Sequence, residues 1–319
     1  MNTTLPKIRL GISTCLLGQN VRYDGGHKHD PYLTKTLGVY VEYVPVCPEV
    51  ECGMPIPRES LRLVGDITSP RLVTTKTGRD FTEQMQTWAR GRLDELERER
   101  LCGFIFKSDS PSSGMERVKV YLGNGMPVKK GSGIFARMFM ERFPLLPVEE
   151  EGRLHDPVLR ENFIERIFVM QRWRELCAGA PTVGQLVSFH TDHKLLLLAH
   201  SPEHYRKMGK LVAQASQMPL QQLLDDYVVL LMNALQIKTT PRKNVNVLQH
   251  ALGYFKKQLT SKEKEELLAL IEQYRQGFLP LIVPITLLRH YIRKYEEPYL
   301  DRQLYFQPHP IELQLRNHV

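Results

Sequence analysis

The sequence predicts an α/β domain with a largely parallel sheet layered with helices, followed by an all-α helical domain. Three observations carry this reading. In the first half, short apolar runs rich in β-branched and aromatic residues alternate with helix-like segments, the pattern of a parallel sheet covered by helices. From Val158 onward the apolar spacing is helical almost without interruption. At 319 residues the chain is long enough for two cores, and the change of pattern falls at LLPVEEEGRLHDP, where an acidic cluster, a glycine and Pro157 follow a last strand. The boundary is placed near Gly152, which gives domains of residues 1–152 and 153–319.

In chain order, the expected strands are residues 8–13, 39–46, 72–75, 104–107 and 118–122, and the expected helices of the first half are residues 80–100 and 134–142. The second half carries marked starts and stops. Ser201 precedes Pro202 as a cap before a proline in the first helical position, Thr260 with Glu263 forms a capping-box pattern, and Gly277 with Pro280 closes a helix. No apolar run reaches the roughly 18 residues of a membrane span. The N-terminal MNTTLPKIRLGIS has too short an apolar segment for a signal peptide, so the expected compartment is the cytoplasm. Five scattered cysteines, Cys15, Cys47, Cys52, Cys102 and Cys177, argue against a disulfide framework and for metal binding or plain burial. Of the net charge of +8, residues 157–319 carry +6, from 21 Lys+Arg against 15 Asp+Glu. Either a mildly basic solvated surface or an anionic partner such as RNA accounts for that excess.

The chemistry is expected where three unusual loops follow strands. STCLLG (residues 13–18) follows the first, CPEVECG (residues 47–53) the second, and KSDSPSSG (residues 107–114) the fourth. Ligands of open α/β sheets bind outside the carboxyl ends of the strands, so these loops would converge on one site. Two of them bring thiols, Cys15 and Cys47, a soft donor pair suited to zinc or an iron–sulfur cluster; two packed thiols are the alternative. The serine-rich loop has neither the G-x-S-x-G turn of a serine nucleophile nor the G-x-x-x-x-G-K-S/T of a nucleotide-binding P-loop.

These motifs carry a resemblance. STCLLG with VRYDGGHK, VPVCPEV with GMPIPRES, TGRDFTE, and FKSDSPSSGMERVKVY with GSGIFA resemble, in order, the thiouracil desulfurase (TudS-like) family over residues 7–150. The resemblance implies a [4Fe-4S] cluster held by three cysteines, whose fourth iron takes sulfur from a thiolated pyrimidine base or nucleotide without redox turnover. Cys15 and Cys47 match two ligands. The third cysteine of the family motif SPSCG is replaced, and Ser113 stands at its position. A hydroxyl is a harder donor than a thiolate, so three cases stay open: an engineered Cys→Ser substitution, a natural chain with altered or lost cluster binding, or recruitment of another thiol, with Cys52 nearest in sequence and Cys102 at the wrong end of its strand. By the same resemblance Glu49 and Ser110 serve the chemistry, and Arg22, Tyr23, Asp24, Arg58, Ser112 and Gly114 form the substrate-binding set. Arg22 and Arg58 suit a phosphate or carboxylate, or a structural ion pair with Asp24 or Glu59.

The helical half resembles the YbgA-like family through VEEEGRLHDPVLRENFIERIF, FHTDHKLLLLAHSPEHY, NVNVLQHALGYFKK, PLIVPITLLRHY and PHPIELQLRNHV. That resemblance implies a fold and a frequent neighbour, and no activity. His190, His193 and His200 share one helical face and with His250 would form a metal or nucleotide pocket, the alternative being satisfied core histidines. Arg242, Lys243, Lys256 and Lys257 with Tyr254 and Phe255 would form a basic stripe for single-stranded RNA, or a solvated amphipathic helix. The combined expectation is an iron–sulfur-dependent desulfurase; the alternative is a cluster-less protein that binds nucleotides or RNA.

Overall fold

The computed structural model describes residues 7–123 and 125–318, so the part of the N-terminal stretch before Lys7 and the last residue of the C-terminal tail lie outside the described residues. The chain divides into two compact units, Met1–Asp156 and Pro157–Val319.

Unit 1 holds two four-stranded sheets with two helices between them. The first sheet orders its strands β2 (Val41–Val46), β1 (Ile8–Ser13), β5 (Phe104–Phe106) and β8 (Val148–Glu150), all parallel. The second orders β4 (Pro70–Thr74), β3 (Leu61–Gly65), β6 (Val118–Tyr121) and β7 (Pro127–Gly131); only its central pair, β3 with β6, is parallel. Helix α2 (Thr82–Arg98) joins both layers, because Met85 packs on the second sheet while Ala89, Leu93 and Leu96 pack on the first. Trp88 and, from helix α3 (Ile134–Arg142), Met138 touch both cores. The first core is aromatic. Phe104 lies 4.4 Å from Phe106 and 4.8 Å from Phe139 between ring centres. Gly11 on β1 makes room for it, since a Cβ there would fall 2.2 Å from the Phe104 ring.

The parallel sheet and both helices follow the sequence expectation. Of the second sheet, β4 and β6 are expected as strands, while LRLVG of β3 and PVKKG of β7 are not: they are short, partly exposed and mixed in polarity, so their pairing is set by neighbours rather than by an apolar pattern.

Unit 2 is helical, with α4 (Pro157–Leu176), α5 (Val183–His200), α6 (Pro202–Ala213), α7 (Leu220–Gln236), α8 (Pro241–Tyr254), α9 (Ser261–Arg275), α10 (Ile282–Lys294) and the short α11 (Pro298–Asp301). The caps act as the sequence foretells: Ser201 accepts from the His204 N–H, and Thr260 and Glu263 close a reciprocal capping box. Among the described residues no helix is long and apolar enough to cross a membrane.

Candidate functional site

Because β2, β1 and β5 are neighbours and parallel, the three loops leaving their carboxyl ends meet. They wall a cavity of about 370 Å3 together with the 21–23 and 58–61 segments. Cys15 sits on the single 3-10 turn that ends β1, its carbonyl accepting the Lys28 N–H at 2.9 Å. Cys47 ends β2 and precedes the short helix α1 (Pro48–Glu51), where Pro48 opens the turn and the Glu51 carboxylate accepts the Cys47 N–H at 2.7 Å.

The serine loop is held from behind by α3. The first helical N–H groups, which have no partner inside a helix, donate instead to the loop: Ile134 to the Pro111 carbonyl (3.2 Å) and Ala136 to the Ser112 carbonyl (3.1 Å), with Gly133 donating to Gly114 (2.8 Å). Inside the loop, Ser110 Oγ accepts the Ser113 N–H at 3.1 Å and lies 3.0 Å from Ser112 Oγ. Ser112 Oγ in turn donates to Glu49 Oε1 at 2.5 Å. The other Glu49 oxygen faces Cys47 Sγ at 3.7 Å and Arg58 Nη2 at 3.8 Å. One carboxylate therefore links the cysteine loop, the serine loop and a guanidinium.

Of the residues singled out in sequence, Cys15, Cys47, Ser113, Glu49, Ser110, Arg22, Tyr23 and Arg58 line this cavity. Asp24, Ser112 and Gly114 do not belong to its wall among the described residues. Asp24 is exposed, and its Oδ1 accepts the Gly26 N–H at 3.0 Å and lies 3.5 Å from Arg22. Ser112 is fully buried and spends its hydroxyl on Glu49. Gly114 is a packing residue, since a Cβ there would fall 2.4 Å from the Val118 side chain. Arg58 ties the 21–26 loop by donating to the Val21 carbonyl at 3.1 Å, rather than pairing with Glu59.

Cys52 and Cys102 stand apart from the cavity wall. The Cys52 thiol donates to the Glu49 carbonyl (3.3 Å) inside the second core, and Cys102 precedes β5, at the end opposite the loops. Lys107 and Lys28 also line the cavity and were passed over in sequence. Lys107 ends β5, its N–H donating to Ser13 Oγ (2.9 Å) and its ammonium meeting Glu151 (2.5 Å) and the Ser108 carbonyl (2.9 Å). A lysine closing the apolar run GFIF was the available signal.

Burial, with Glu49 adding to it, pushes the Cys15 thiol up to about 11 and the Cys47 thiol up to about 12. The donors gathered here are two free thiols and the Ser113 hydroxyl on one cavity. Among the described residues no three His, Cys, Asp or Glu side chains are arranged to hold a metal ion. The set fits a cluster bound by two thiolates and one oxygen, with the oxygen as the weakest donor.

In unit 2 the three histidines of α5 find separate partners. His190 Nδ1 lies 3.2 Å from the Tyr227 hydroxyl, His193 Nδ1 2.7 Å from the Phe189 carbonyl, and His200 bridges Ile237 O (2.7 Å) and Glu165 (3.1 Å). His250 is exposed on α8. Of the basic stripe, Lys243 donates to the His200 and Lys238 carbonyls, Phe255 is fully buried, Tyr254 stacks on Tyr299 at 5.2 Å, and Arg242, Lys256 and Lys257 are exposed.

An α/β unit with a thiol- and serine-lined cavity at its strand ends, joined to a helical unit, is thus the class of protein in hand. The 2-thiouracil desulfurase family model matches residues 10–151, and the model described as a protein of unknown function (DUF1722) matches residues 194–310. The uncharacterized protein YbgA of Escherichia coli (strain K12) is 38% identical over 165 residues, which are 49% of this chain and 94% of YbgA. Among solved structures, the [4Fe-4S]-dependent thiouracil desulfidase TudS is 29% identical, over 47% of this chain and 95% of its own, with a TM-score of 0.39. The chain belongs to the YbgA-like (DUF1722) family through its helical half and carries a 2-thiouracil desulfurase domain before it.

Proposed function

We propose that the protein is a cytoplasmic desulfurase that replaces the sulfur of a thiolated pyrimidine, as free base or nucleotide, by oxygen. The observation that carries this is the single carboxylate, Glu49, placed between Cys47, Ser112 and Arg58 on the wall where both thiols and Ser113 meet. Cys15, Cys47 and Ser113 would hold a [4Fe-4S] cluster, which when bound supplies an iron without a protein ligand to take the departing sulfur. The remaining work belongs to this chain's own groups. Glu49 accepts a proton from the water that attacks the carbon losing sulfur, a role that requires a carboxylate fixed within hydrogen-bond reach. Ser112 fixes it through the 2.5 Å bond, so Ser112 acts as a positioning residue. Ser110, on the cavity wall, orients the base. Arg22, Lys28, Arg58 and Lys107 line the cavity; Arg22, Arg58 and Lys107 already face Asp24, Glu49 and Glu151, and an anionic substrate such as a nucleotide would draw on Lys28 and on the guanidinium donors these pairs leave over.

The test is the iron and acid-labile sulfide content of the chain and of Ser113→Cys after anaerobic reconstitution, with sulfide release from thiouracil and from thiouridine monophosphate. Iron and turnover in both support the reading; iron and turnover in the variant alone would mean that Ser113 stands where the family's third ligand belongs and that this chain is an inactive or engineered form. Iron in neither removes the desulfurase mechanism and leaves a second reading. In it the four cavity cations bind a nucleotide, and the exposed Arg242, Lys256 and Lys257 of unit 2 bind RNA. Salt-sensitive RNA binding by colourless protein would establish that alternative.

A further inference from the structure

The helical unit encloses a second cavity, of about 160 Å3, between α4, the turn joining α7 to α8, the end of α9 and the C-terminal tail. Its floor is an ion network closed on itself. Arg316 donates from Nη2 to Glu165 Oε1 (2.7 Å), from Nη1 to the Tyr305 carbonyl (2.5 Å) and from Nε to Glu161 Oε1 (3.1 Å). On the far side of Glu165, His200 Nε2 lies 3.1 Å from Oε2 while its Nδ1 faces the Ile237 carbonyl at 2.7 Å. Both ring nitrogens thus have a partner inside the network. Arg316, Glu165 and His200 are between 0% and 5% exposed at the side chain.

Glu161 is the member of this network left incomplete. It lies one helical turn before Glu165 on the same face of α4, with its side chain 12% exposed, so two carboxylates divide one guanidinium. Its Oε2 has His318 Nε2 at 3.6 Å, beyond hydrogen-bond range. Burial pushes this carboxyl up to about 7 against the pull of Arg316, and Glu165 adds to the rise. On the side that lines the cavity its Oε2 has no donor within hydrogen-bond distance among the described residues, the basic groups of the same wall being His318, 3.6 Å away, and Lys238. Much of the remaining wall is aliphatic or hydroxyl, from Val158, Leu279, Leu281, Thr239 and Thr240. The Tyr274 hydroxyl is already taken by Asn244 Nδ2 at 2.9 Å. An acceptor oxygen above a saturated floor, faced by aliphatic carbon, matches an ammonium on a short hydrocarbon body.

We propose that this cavity binds a small primary amine, its ammonium donating to Glu161 Oε2 and its carbon chain lying on Leu279 and Leu281. A simple alkylamine and an amino acid share that chemistry. Lys238 and the first turn of α8 also line the cavity and would take the carboxylate of an amino acid.

The experiment is calorimetric titration of the full chain with n-butylamine, the uncharged isostere 1-butanol and L-norvaline, repeated on Glu161→Gln and Leu279→Trp. Saturable one-to-one binding of butylamine, at least tenfold tighter than butanol and at least tenfold weaker in Glu161→Gln, is expected. Leu279→Trp fills the cavity from its aliphatic wall without touching the ion network, so it should abolish amine binding even if Glu161→Gln folds poorly. Norvaline binding more tightly than butylamine would identify an amino acid as the ligand class; equal binding would identify the amine alone, and both outcomes support the site. Butanol binding as well as butylamine, no binding of either amine, or unchanged amine affinity in Leu279→Trp would overturn it.

Discussion

Gly133 is where the fold of unit 1 and its site are most tightly coupled, and Gly133→Ala tests that coupling. Its backbone, at φ −62° and ψ 149°, is open to any residue, so the cost of a side chain is purely steric. A Cβ would lie 2.4 Å from the Ser112 carbonyl carbon, 2.5 Å from its oxygen and 2.7 Å from the Ser113 nitrogen. All three are backbone atoms, so no side-chain rotation relieves the overlap. Reaching the 3.4 Å of ordinary contact requires α3 and the serine loop to part by about 1 Å. That movement weakens the three bonds from Gly133, Ile134 and Ala136, each contributing about 1 kcal/mol, and overpacking adds about 1–3 kcal/mol. The expected loss is about 3–5 kcal/mol, or a fall of roughly 6–20 °C in the unit 1 transition by calorimetry. Gly91→Ala is the control: its Cβ would meet nothing within 4 Å inside the exposed face of α2, and it should stabilise by about 0.5–1 kcal/mol. A Gly133→Ala transition within 1 °C of wild type would refute the claim that α3 holds the loop by direct backbone contact.

Ser112→Ala removes the donor that fixes Glu49 and should lower the rate of sulfide release by about tenfold to a hundredfold with KM little changed; an unchanged rate would show that Arg58 alone positions the carboxylate. Phe104→Ala empties the centre of the aromatic core and should cost about 3–5 kcal/mol in unit 1, measured by urea unfolding followed at Trp88 in a Trp173→Phe background. Burial, with Lys194 and Arg172 adding to it respectively, holds His190 down at about 4 and His193 at about 3. The unfolded chain takes up these protons near 6.5, so each histidine leaves stability intact above that pH and removes about 1.4 kcal/mol per unit as pH falls toward its folded value. Melting of unit 2 across pH 7 to 4 should therefore show a slope that His193→Gln reduces, and an identical slope in the variant would refute the buried neutral assignment.

The readable part of the fold was the part whose pattern is locally determined. Residues 8–13 and 134–142 are a strand and a helix with the bounds their apolar spacing indicates, and the caps at Ser201 and Thr260 are local chemistry. Two strands of the second sheet were hidden because LRLVG and PVKKG take their strand form from their partners, Leu63 from the distant Val120 and Val128 from Val120 across a hairpin, and not from an apolar pattern of their own. In the site, spacing after strands placed Cys15, Cys47 and the serine loop together, since a parallel sheet aligns its strand ends. What spacing leaves open is direction. Ser112 and Ser113 are adjacent, yet one hydroxyl turns to Glu49 while its neighbour lines the cavity. The motif likewise leaves open that Arg58 lines the cavity while one of its donors goes to the Val21 carbonyl.

The hydrogen bonds that shape the serine loop do not use the side chain at position 113. The loop is held through the carbonyls of Pro111, Ser112 and Gly114 and through Ser110 Oγ, which accepts the backbone N–H of Ser113. The Ser113 hydroxyl itself has one contact, a 3.5 Å approach to Ser112 Oγ at the edge of hydrogen-bond range. Neither a thiol nor a hydroxyl is needed by the hydrogen bonds that shape the loop, and at the cavity wall the larger sulfur has room on the open side. Folding therefore exerts almost no preference between them, whereas a soft metal cluster discriminates strongly. It follows that Ser113→Cys should leave the unit 1 unfolding free energy within about 0.5 kcal/mol of wild type when no iron is present. The same substitution should raise iron retention. A large stability change without iron would mean that the hydroxyl belongs to the fold, and the serine would then have to be explained by packing rather than by the chemistry of the cavity.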